Sequence, residues 1–192
     1  SGIPEERMRA VNGCKRNIDY AASMGCGIII GFLKGGPGSD REVSERLFLE
    51  SMLELKPYIE EKKVQVLIEA TNHKEASIIR TLKEGAHVIN FLDCPFIQLL
   101  ADTYHMNIEE PSLVDSLSEY MSYYPHLHIS DDNRAYPGLG SLDFTAIYRK
   151  LMECGYKGTV AVEGNIQHGL LEDTQICAAY LHKVCSGLHT PS

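Results

Sequence analysis

The chain has 192 residues, of which 44% are hydrophobic and 23% are charged, a composition typical of one globular domain rather than of a disordered segment. No apolar run approaches the ~18 residues that a membrane-spanning helix needs, so an integral membrane protein is not expected. Lys and Arg number 18 against 26 Asp and Glu, which gives a formal net charge of −8. Because nucleic-acid binding relies on clustered positive charge, this balance argues against a nucleic-acid partner.

The six cysteines indicate reduced thiols rather than a disulfide framework. Their spacings are irregular and no two form a Cys-x-x-Cys pair, so neither a disulfide scaffold nor a structural zinc site is predicted. They are Cys14, Cys26, Cys94, Cys154, Cys177 and Cys185. Free thiols are typical of the cytoplasm, which is the location that the sequence favours.

The first half of the chain predicts two strands between amphipathic helices. Ser39, with Glu42 three residues later, forms a capping box that marks the start of the second helix. Apolar residues then recur at helical spacing at Phe48, Met52, Leu55 and Ile59. In chain order the predicted elements are a helix over 5–24, a strand over 27–32, a helix from 39, a strand over 64–68 and a helix over 74–91.

The second half continues the alternation. Pro111 suits the first position of a helix, and a loop rich in Asp, Asn, Pro and Gly ends near residue 141. The predicted elements are a strand over 96–101, a helix from 111, a strand over 126–129, a helix that includes 144–151, a strand over 159–162 and a helix over 168–186. The polar tail after the last helix is expected to fray. Five apolar strands alternating with six helices predict a parallel β/α sheet whose strands are buried on both faces.

A metal-competent residue follows or ends four of these strands. Glu69, Asp102, His128 and Glu163 are spaced by about one β/α unit, so they are expected at the same, carboxyl, edge of a parallel sheet. A single Glu after a strand is usually a solvated loop residue, but four such residues in succession indicate a metal site. Three carboxylates and one imidazole suit Mn²⁺, Mg²⁺ or Co²⁺. With a bound dication, the three carboxylates have a net charge of about −1. Without the metal, they are therefore expected to repel one another.

Three stretches of the chain resemble a known family. They are Glu69 to Glu75, Asp102 to Glu110 with the sequence Asp-Thr-Tyr-His-Met-Asn-Ile-Glu-Glu, and His128 through Arg134 to Gly140. Together with Gly155-Tyr156-Lys157-Gly158 before Glu163, they are similar to the xylose-isomerase-like TIM-barrel superfamily, and most similar to ketose 3-epimerases of the tagatose/psicose type. The resemblance covers about residues 5–186.

The resemblance implies a role for each site residue. Glu69, Asp102, His128 and Glu163 would bind one divalent metal ion, with Mn²⁺ favoured and Co²⁺ or Mg²⁺ as alternatives. Glu69 and Glu163 would also be the catalytic acid/base pair. The sugar would contact Glu75, His105 and Arg134. His73 departs from the family, which more often has Arg after the Asn.

The implied function is that of a divalent-metal-dependent sugar isomerase/epimerase, and specifically of a ketose 3-epimerase. Two carboxylates would transfer a proton at carbon 3 through an enediolate that the metal stabilises. A hydroxypyruvate-type isomerase or an inosose-type dehydratase on the same scaffold is one alternative. A non-catalytic barrel remnant is another. An abasic-site nuclease is disfavoured by the acidic charge and by the absence of His from the loop that follows His128.

The implied fold is a (β/α)₈ TIM barrel of which this chain contains only a part. A complete barrel usually takes about 250 residues, and the five predicted strands match the carboxyl-terminal β/α units of the family. The first three strands are therefore expected to be missing from this single partial domain over 1–192. Because open strand edges expose unpaired backbone groups, copies are expected to form homo-oligomers by edge-to-edge or swapped association.

Other residues have less specific interpretations. Asp131 and Asp132 could be further metal ligands, but a solvated loop is the preferred interpretation. His126 lies on the same strand face as His128 and is expected to be a core histidine or to support the site. The segment 35–39 before the second helix is expected to be a plain turn rather than an anion site.

Overall fold

The structure, a computed structural model, describes residues 2–188 and contains the predicted alternation of strands and helices. The chain divides after Leu100 into two compact units. The elements of the first unit are α1 (Pro4–Met24), β1 (Ile28–Ile30), α2 (Arg41–Lys62), β2 (Val66–Glu69), α3 (Leu82–Leu92) and the beginning of β3 (Ile97–Asp102). Those of the second are α4 (Thr103–Glu109), α5 (Leu113–Glu119), a 3₁₀ turn (Met121–Tyr123), β4 (His126–Ile129), α6 (Phe144–Glu153), β5 (Thr159–Val162) and α7 (Leu170–Leu188).

The five strands form one sheet in chain order, β1-β2-β3-β4-β5. Strand β1 pairs with β2, β2 with β3, and β4 with β5, all in parallel. Glu69 at the end of β2 lies opposite Leu100, and Glu163 donates its backbone N–H to the carbonyl of Ile129 at 3.1 Å. Since parallel neighbours end at the same edge, this register places the polar strand-end residues at the carboxyl edge of the sheet.

The apolar stripe of α2 is buried as predicted, but the start of the helix differs from the prediction. Asp40, not Ser39, is the N-cap, and its Oδ1 accepts a hydrogen bond from the backbone N–H of Val43 at 2.9 Å. The capping box proposed from Ser39 and Glu42 is therefore wrong by one residue. A carboxylate caps as well as a hydroxyl does, so adjacent Ser and Asp residues compete for this position.

Two predictions about the helices that follow β2 and β3 are also wrong. The helix expected over 74–91 begins only at Leu82, because Ile79 has a left-handed φ of 54° and Thr81 caps the helix through its Oγ1. The short helix α4 directly after β3 was not predicted. Helix α5 begins at Leu113 with Ser112 as its cap, so Pro111 lies outside the helix.

The outer strands are more exposed than the sequence suggested. The middle of β1, Ile29, is 47% exposed, and Val160 and Val162 of β5 are 37% and 40% exposed. In contrast, β2 and β3 are mostly buried. The prediction that all strands are buried on both faces is therefore wrong for β1 and β5, because each has a sheet neighbour on one side only.

The composition predicted reduced cysteines and no membrane-spanning helix. All six cysteines are free, in agreement with the prediction of reduced thiols. Within residues 2–188, no helix combines the length and the hydropathy that a membrane-spanning segment requires. The tail that was predicted to fray after the last helix falls outside the described residues, which end at residue 188.

Candidate metal centre

The four predicted ligands come together. Glu69 ends β2, Asp102 ends β3, His128 lies within β4 and Glu163 directly follows β5. Each offers one ligand atom, and these atoms all lie within 4.8 Å of one another. The four side chains named from the sequence therefore lie near one another, and their binding of a metal ion remains a prediction. Three carboxylates and one imidazole form a donor set of hard character, which fits a divalent ion such as Mn²⁺, Co²⁺ or Mg²⁺.

Asp102 is held in place by three donors. The residue is fully buried, and its Oδ1 accepts the backbone N–H groups of Tyr104 at 2.8 Å and His105 at 3.3 Å, which makes it the N-cap of α4. Its Oδ2 accepts a hydrogen bond from Nη1 of Arg134 at 2.8 Å. Thr103 adds a tie to β4, since its Oγ1 donates to the carbonyl of Ser130 at 2.7 Å. These contacts within the protein fix the orientation of the carboxylate.

His128 lies between the two carboxylates of the second unit. Its Nδ1 is 3.0 Å from Oε2 of Glu163 and 3.9 Å from Oδ2 of Asp102. The ring of His126 lies edge-on to that of His128, with 5.0 Å between the centroids, and contacts Thr159 Oγ1. Burial lowers the pKa of His126, and the neighbouring His128 lowers it further. These contacts agree with a supporting position for His126 beside the candidate ligands.

Arg134 adds a positive charge to this group. Its Nη1 donates to Asp102 Oδ2 and its Nη2 to Glu163 Oε2, both at 2.8 Å. The guanidinium also lies over the ring of Tyr104, 4.9 Å from the centroid. The backbone of Arg134 has a φ of 62°, a left-handed conformation that is unfavourable for a residue with a Cβ. The surrounding loop must therefore impose this conformation.

The loop that presents Arg134 is built around the buried carboxylate of Asp131. This residue is 1% exposed. Its side chain accepts backbone N–H bonds of 2.8–3.1 Å from Asp132, Gly138, Gly140 and Leu142. A Cβ on Gly140 would come within 2.5 Å of Asp131 Oδ1, so glycine is required there. The prediction of a solvated loop is therefore wrong for Asp131, which organises the loop.

Glu69 is enclosed by residues of the first unit. It is 8% exposed, and a Cβ on Gly31 would lie 2.9 Å from its Oε2, so a side chain there would make the carboxylate shift. Lys34, in the loop after β1, is 1% exposed and donates a hydrogen bond to Thr71 Oγ1. Burial lowers the pKa of Lys34 to about 8, while the charges of Glu69 and Glu75 oppose this shift. Lys34 therefore belongs to the electrostatic surroundings of Glu69.

The other residues expected to contact the sugar occupy different settings. His105 is buried in the first turn of α4, and its ring lies edge-on to Tyr104 with 5.4 Å between the centroids. Glu75 is half-buried in the turn that follows β2, where its backbone N–H donates to the carbonyl of Asn72 at 3.0 Å. Their contacts with a sugar, and that of Arg134, remain predictions.

Sequence reasoning missed two contributors to the site. Asp131 was set aside because an Asp in a polar loop resembles any solvated residue, although the glycines of Pro137-Gly138-Leu139-Gly140 indicated a place where bare backbone is needed. Lys34 was missed because no local pattern distinguishes a buried Lys from an exposed one. In both cases the deciding feature is burial against residues distant in the sequence.

A parallel β/α sheet with carboxylates and an imidazole gathered at the carboxyl ends of its strands defines a barrel-type protein with a candidate divalent-metal centre. Comparison with known families agrees with this class. The xylose isomerase-like TIM barrel family matches residues 1–178, and the chain belongs to that family. The fold class predicted from the sequence, a partial barrel of this type, is confirmed.

The curated relatives are sugar epimerases. The chain is 37% identical over 102 residues to the 3-dehydro-D-guloside 4-epimerase of Escherichia coli, which covers 53% of this chain and 39% of the relative. It is 33% identical over 121 residues to the D-psicose 3-epimerase of Ruminiclostridium cellulolyticum, which covers 63% of this chain and 41% of the relative. The matches thus span about two fifths of the length of these two relatives.

Solved structures extend the likeness over nearly the whole chain. The 3-keto-D-glucoside 4-epimerase of Escherichia coli superposes with a TM-score of 0.84 at 26% identity, covering 97% of this chain and 74% of that one. The D-psicose 3-epimerase of Clostridium cellulolyticum, solved with D-tagatose, superposes with a TM-score of 0.85 at 24% identity, covering 99% and 74%. The second comparison shows a shared fold.

The burial of Asp131 leads to a prediction about stability. Asp131→Ala removes the acceptor for four backbone N–H groups and should lower the free energy of unfolding by about 3 kcal/mol, measured by urea denaturation. Asp115→Ala is the matched control because Asp115 is exposed in the first turn of α5, and its change should stay within ~0.5 kcal/mol. Equal effects of the two substitutions would contradict the assigned role of Asp131.

Proposed function

We propose that this protein is a divalent-metal-dependent sugar epimerase that acts on carbon 3 of a ketose. The observation that carries the proposal is the cluster itself, because it contains two glutamates, Glu69 and Glu163, together with Asp102 and His128 within 4.8 Å. The similarity to epimerases of free and modified sugars supports the same class of reaction.

Inversion at a carbon beside a ketone needs one group to remove the proton and another to return it from the opposite face. Glu69 and Glu163 supply two carboxylates on different strands, and either could act as base while the other acts as acid. Arg134 and His105 supply donors for the oxygen that becomes negative as the proton leaves. The proposed intermediate is an enediolate, and its reprotonation on the second face gives the epimer.

The metal ion would be held by Glu69, Asp102, His128 and Glu163. A divalent cation there would act as a Lewis acid toward the ketone oxygen and the adjacent hydroxyl, which is worth several kcal/mol in reactions of this kind. We propose Mn²⁺ as the ion, with Co²⁺ or Mg²⁺ as substitutes, because the donor set is mainly carboxylate. The free cysteines support a cytoplasmic location for this chemistry.

A second candidate is epimerisation at carbon 4 of a 3-keto sugar. The relative with 37% identity is named as a 4-epimerase, and the solved structure at 26% identity is a 3-keto-D-glucoside 4-epimerase. The proton removed in such a substrate is again adjacent to a ketone, so the same pair of glutamates would serve. Parallel assays with free ketoses and with 3-keto glycosides separate the two candidates. Hydroxypyruvate and inososes extend the assay to the sibling reactions.

Substitution of either glutamate tests the two-base proposal. Glu69→Gln and Glu163→Gln should each slow epimer formation by about 10²–10⁴-fold, because each removes one proton-transfer group. Proton NMR in D₂O gives a sharper measurement, since each variant should retain deuterium exchange in only one of the two epimers, and the two variants should differ in which. Glu153→Gln, an exposed change on α6, is the control. Full epimerase activity in either active-site variant would refute the assignment.

Removal of the metal tests the second half of the proposal. Dialysis against EDTA should reduce the epimerisation rate by ~100-fold or more, since the cation supplies several kcal/mol of stabilisation. Added Mn²⁺ should restore the rate, followed over a concentration series and compared with Co²⁺ and Mg²⁺. Undiminished turnover in excess chelator, with metal content verified by mass spectrometry, would exclude a metal-dependent reaction.

We further propose that copies of the chain associate through the open edges of the sheet. The exposed apolar residues of β1 and β5 support this, because an uncovered strand edge with such residues tends to pair. Light scattering coupled to gel filtration should show a mass above the monomer value of 21.4 kDa that increases with concentration. A concentration-independent monomer would contradict association.

A further inference from the structure

Arg134 contacts two of the candidate metal ligands at once. Its guanidinium donates to Oδ2 of Asp102 and to Oε2 of Glu163, both at 2.8 Å. Both carboxylates belong to the four-residue cluster. The side chain of Arg134 is 20% exposed and that of Asp102 is fully buried, so water screens this ion pair less than a pair on an open surface. The side chain of Glu163 is 48% exposed, so water screens its ion pair with Arg134 more strongly. Part of the negative charge that would attract a divalent ion is therefore already offset by a residue of the protein.

The backbone on both sides of Arg134 is fixed. Its N–H donates to the carbonyl of Asp131 at 3.0 Å, and its own carbonyl accepts the N–H of Asn165 at 2.6 Å. Asn165 lies two residues after Glu163, so this bond ties the Arg134 loop to the segment that carries one of its carboxylate partners. The left-handed φ of 62° shows that the loop holds Arg134 in a backbone conformation that is unfavourable for a residue with a Cβ. The loop therefore fixes the backbone position of Arg134 through contacts other than the ion pairs of its guanidinium.

We propose that Arg134 is an internal counter-ion of the metal centre, which keeps the carboxylates together at low metal concentration and weakens their affinity for the divalent ion. The inference rests on the metal-dependent function proposed above and adds a second role to the predicted sugar contact of Arg134. The three carboxylates of the cluster carry −3, and the guanidinium of Arg134 reduces this to −2 before the charge of Lys34 near Glu69 is counted. The positive charge of Arg134 therefore lowers the attraction of the cluster for a dication.

Two measurable consequences follow from the charge. Without the guanidinium, a dication meets one positive charge fewer and binds more tightly, because like charges a few ångströms apart repel strongly in a partly buried site. Without the guanidinium and without the ion, the repulsion between the carboxylates of Asp102 and Glu163 loses its bridging positive charge, although backbone N–H groups still bind Asp102. The metal-free protein should then be less stable, and its gain in stability on binding the ion should be larger.

The first measurement is the affinity for Mn²⁺ alone, by isothermal titration calorimetry of protein freed of metal by chelation. Arg134→Gln should bind Mn²⁺ about tenfold more tightly than the unmodified protein does. Arg134→Lys retains the charge but not the fork that reaches both carboxylates, so its affinity should lie between those of the unmodified protein and Arg134→Gln. Arg149→Gln is the matched control because it removes the same charge from an exposed position on α6, and its affinity should be unchanged.

The second measurement is thermal unfolding in excess chelator and in saturating Mn²⁺. Arg134→Gln should unfold at a lower temperature than the unmodified protein in chelator and should show the larger upward shift with Mn²⁺. Arg134→Met is a second neutral variant, to be used in both measurements if Arg134→Gln does not fold. Its unbranched stem can retain the contact with Tyr104.

The outcomes separate this inference from the proposed function. If the unmodified protein binds Mn²⁺ and the neutral variants bind it equally or more weakly, the counter-ion role is wrong and the metal centre stands. If neither the unmodified protein nor any variant binds Mn²⁺, both proposals fail. Binding by the neutral variants that is tighter than in the unmodified protein, together with unchanged binding by Arg149→Gln, supports the inference.

Discussion

The electrostatic repulsion between carboxylates at the ends of neighbouring strands is the constraint on which this site depends. Three carboxylates contribute ligand atoms that lie within 4.8 Å of one another, together with one imidazole. Charges of one sign at such distances are unfavourable unless a cation or several donors compensate them. The guanidinium of Arg134, which bridges Asp102 and Glu163, supplies compensation from within the protein. A bound divalent ion would supply further positive charge. In the proposed reaction, the same positive charge would stabilise the enediolate.

The fold and the site share residues, so neither can be changed alone. Asp102 is both a candidate metal ligand and the N-cap of α4, since its Oδ1 accepts the backbone N–H groups of Tyr104 and His105. This capping orients the carboxylate and fixes the start of the helix that carries His105. Gly31 also bears on the site, because a side chain there would displace the Glu69 carboxylate from its present position. The precision of the centre therefore comes from backbone groups of the adjoining elements.

The loop between β4 and α6 shows how a buried charge can organise a functional segment. Asp131 accepts four backbone N–H bonds, which satisfy donors that the irregular chain would otherwise leave without partners. The resulting turn holds Arg134 in a left-handed conformation and directs its guanidinium toward Asp102 and Glu163. The similarity to sugar epimerases supports the proposed class of reaction, while this loop supplies the positive charge that distinguishes the site from a simple carboxylate cluster.

The sequence by itself determined the architecture and the candidate ligands. Strands β4 and β5 have the predicted bounds, and the four candidate ligands could be named because a parallel sheet places consecutive strand ends at one edge. The family followed from the motifs around Asp102 and His128. Local periodicity reports which face of an element is apolar, and strand order then fixes the edge, so both conclusions need only short-range information.

Only the tertiary structure decided the charge balance and the caps. Asp131 bonds to backbone groups up to 11 residues away, and Arg134 reaches carboxylates 29 and 32 residues away, so no local pattern reveals either role. Ser39 and Asp40 are both suitable N-caps, and only the folded chain shows that Asp40 takes this position. The exposure of β1 and β5 depends on which strands have two neighbours. These features depend on how distant segments pack, which is a property of the folded chain rather than of any stretch of its sequence.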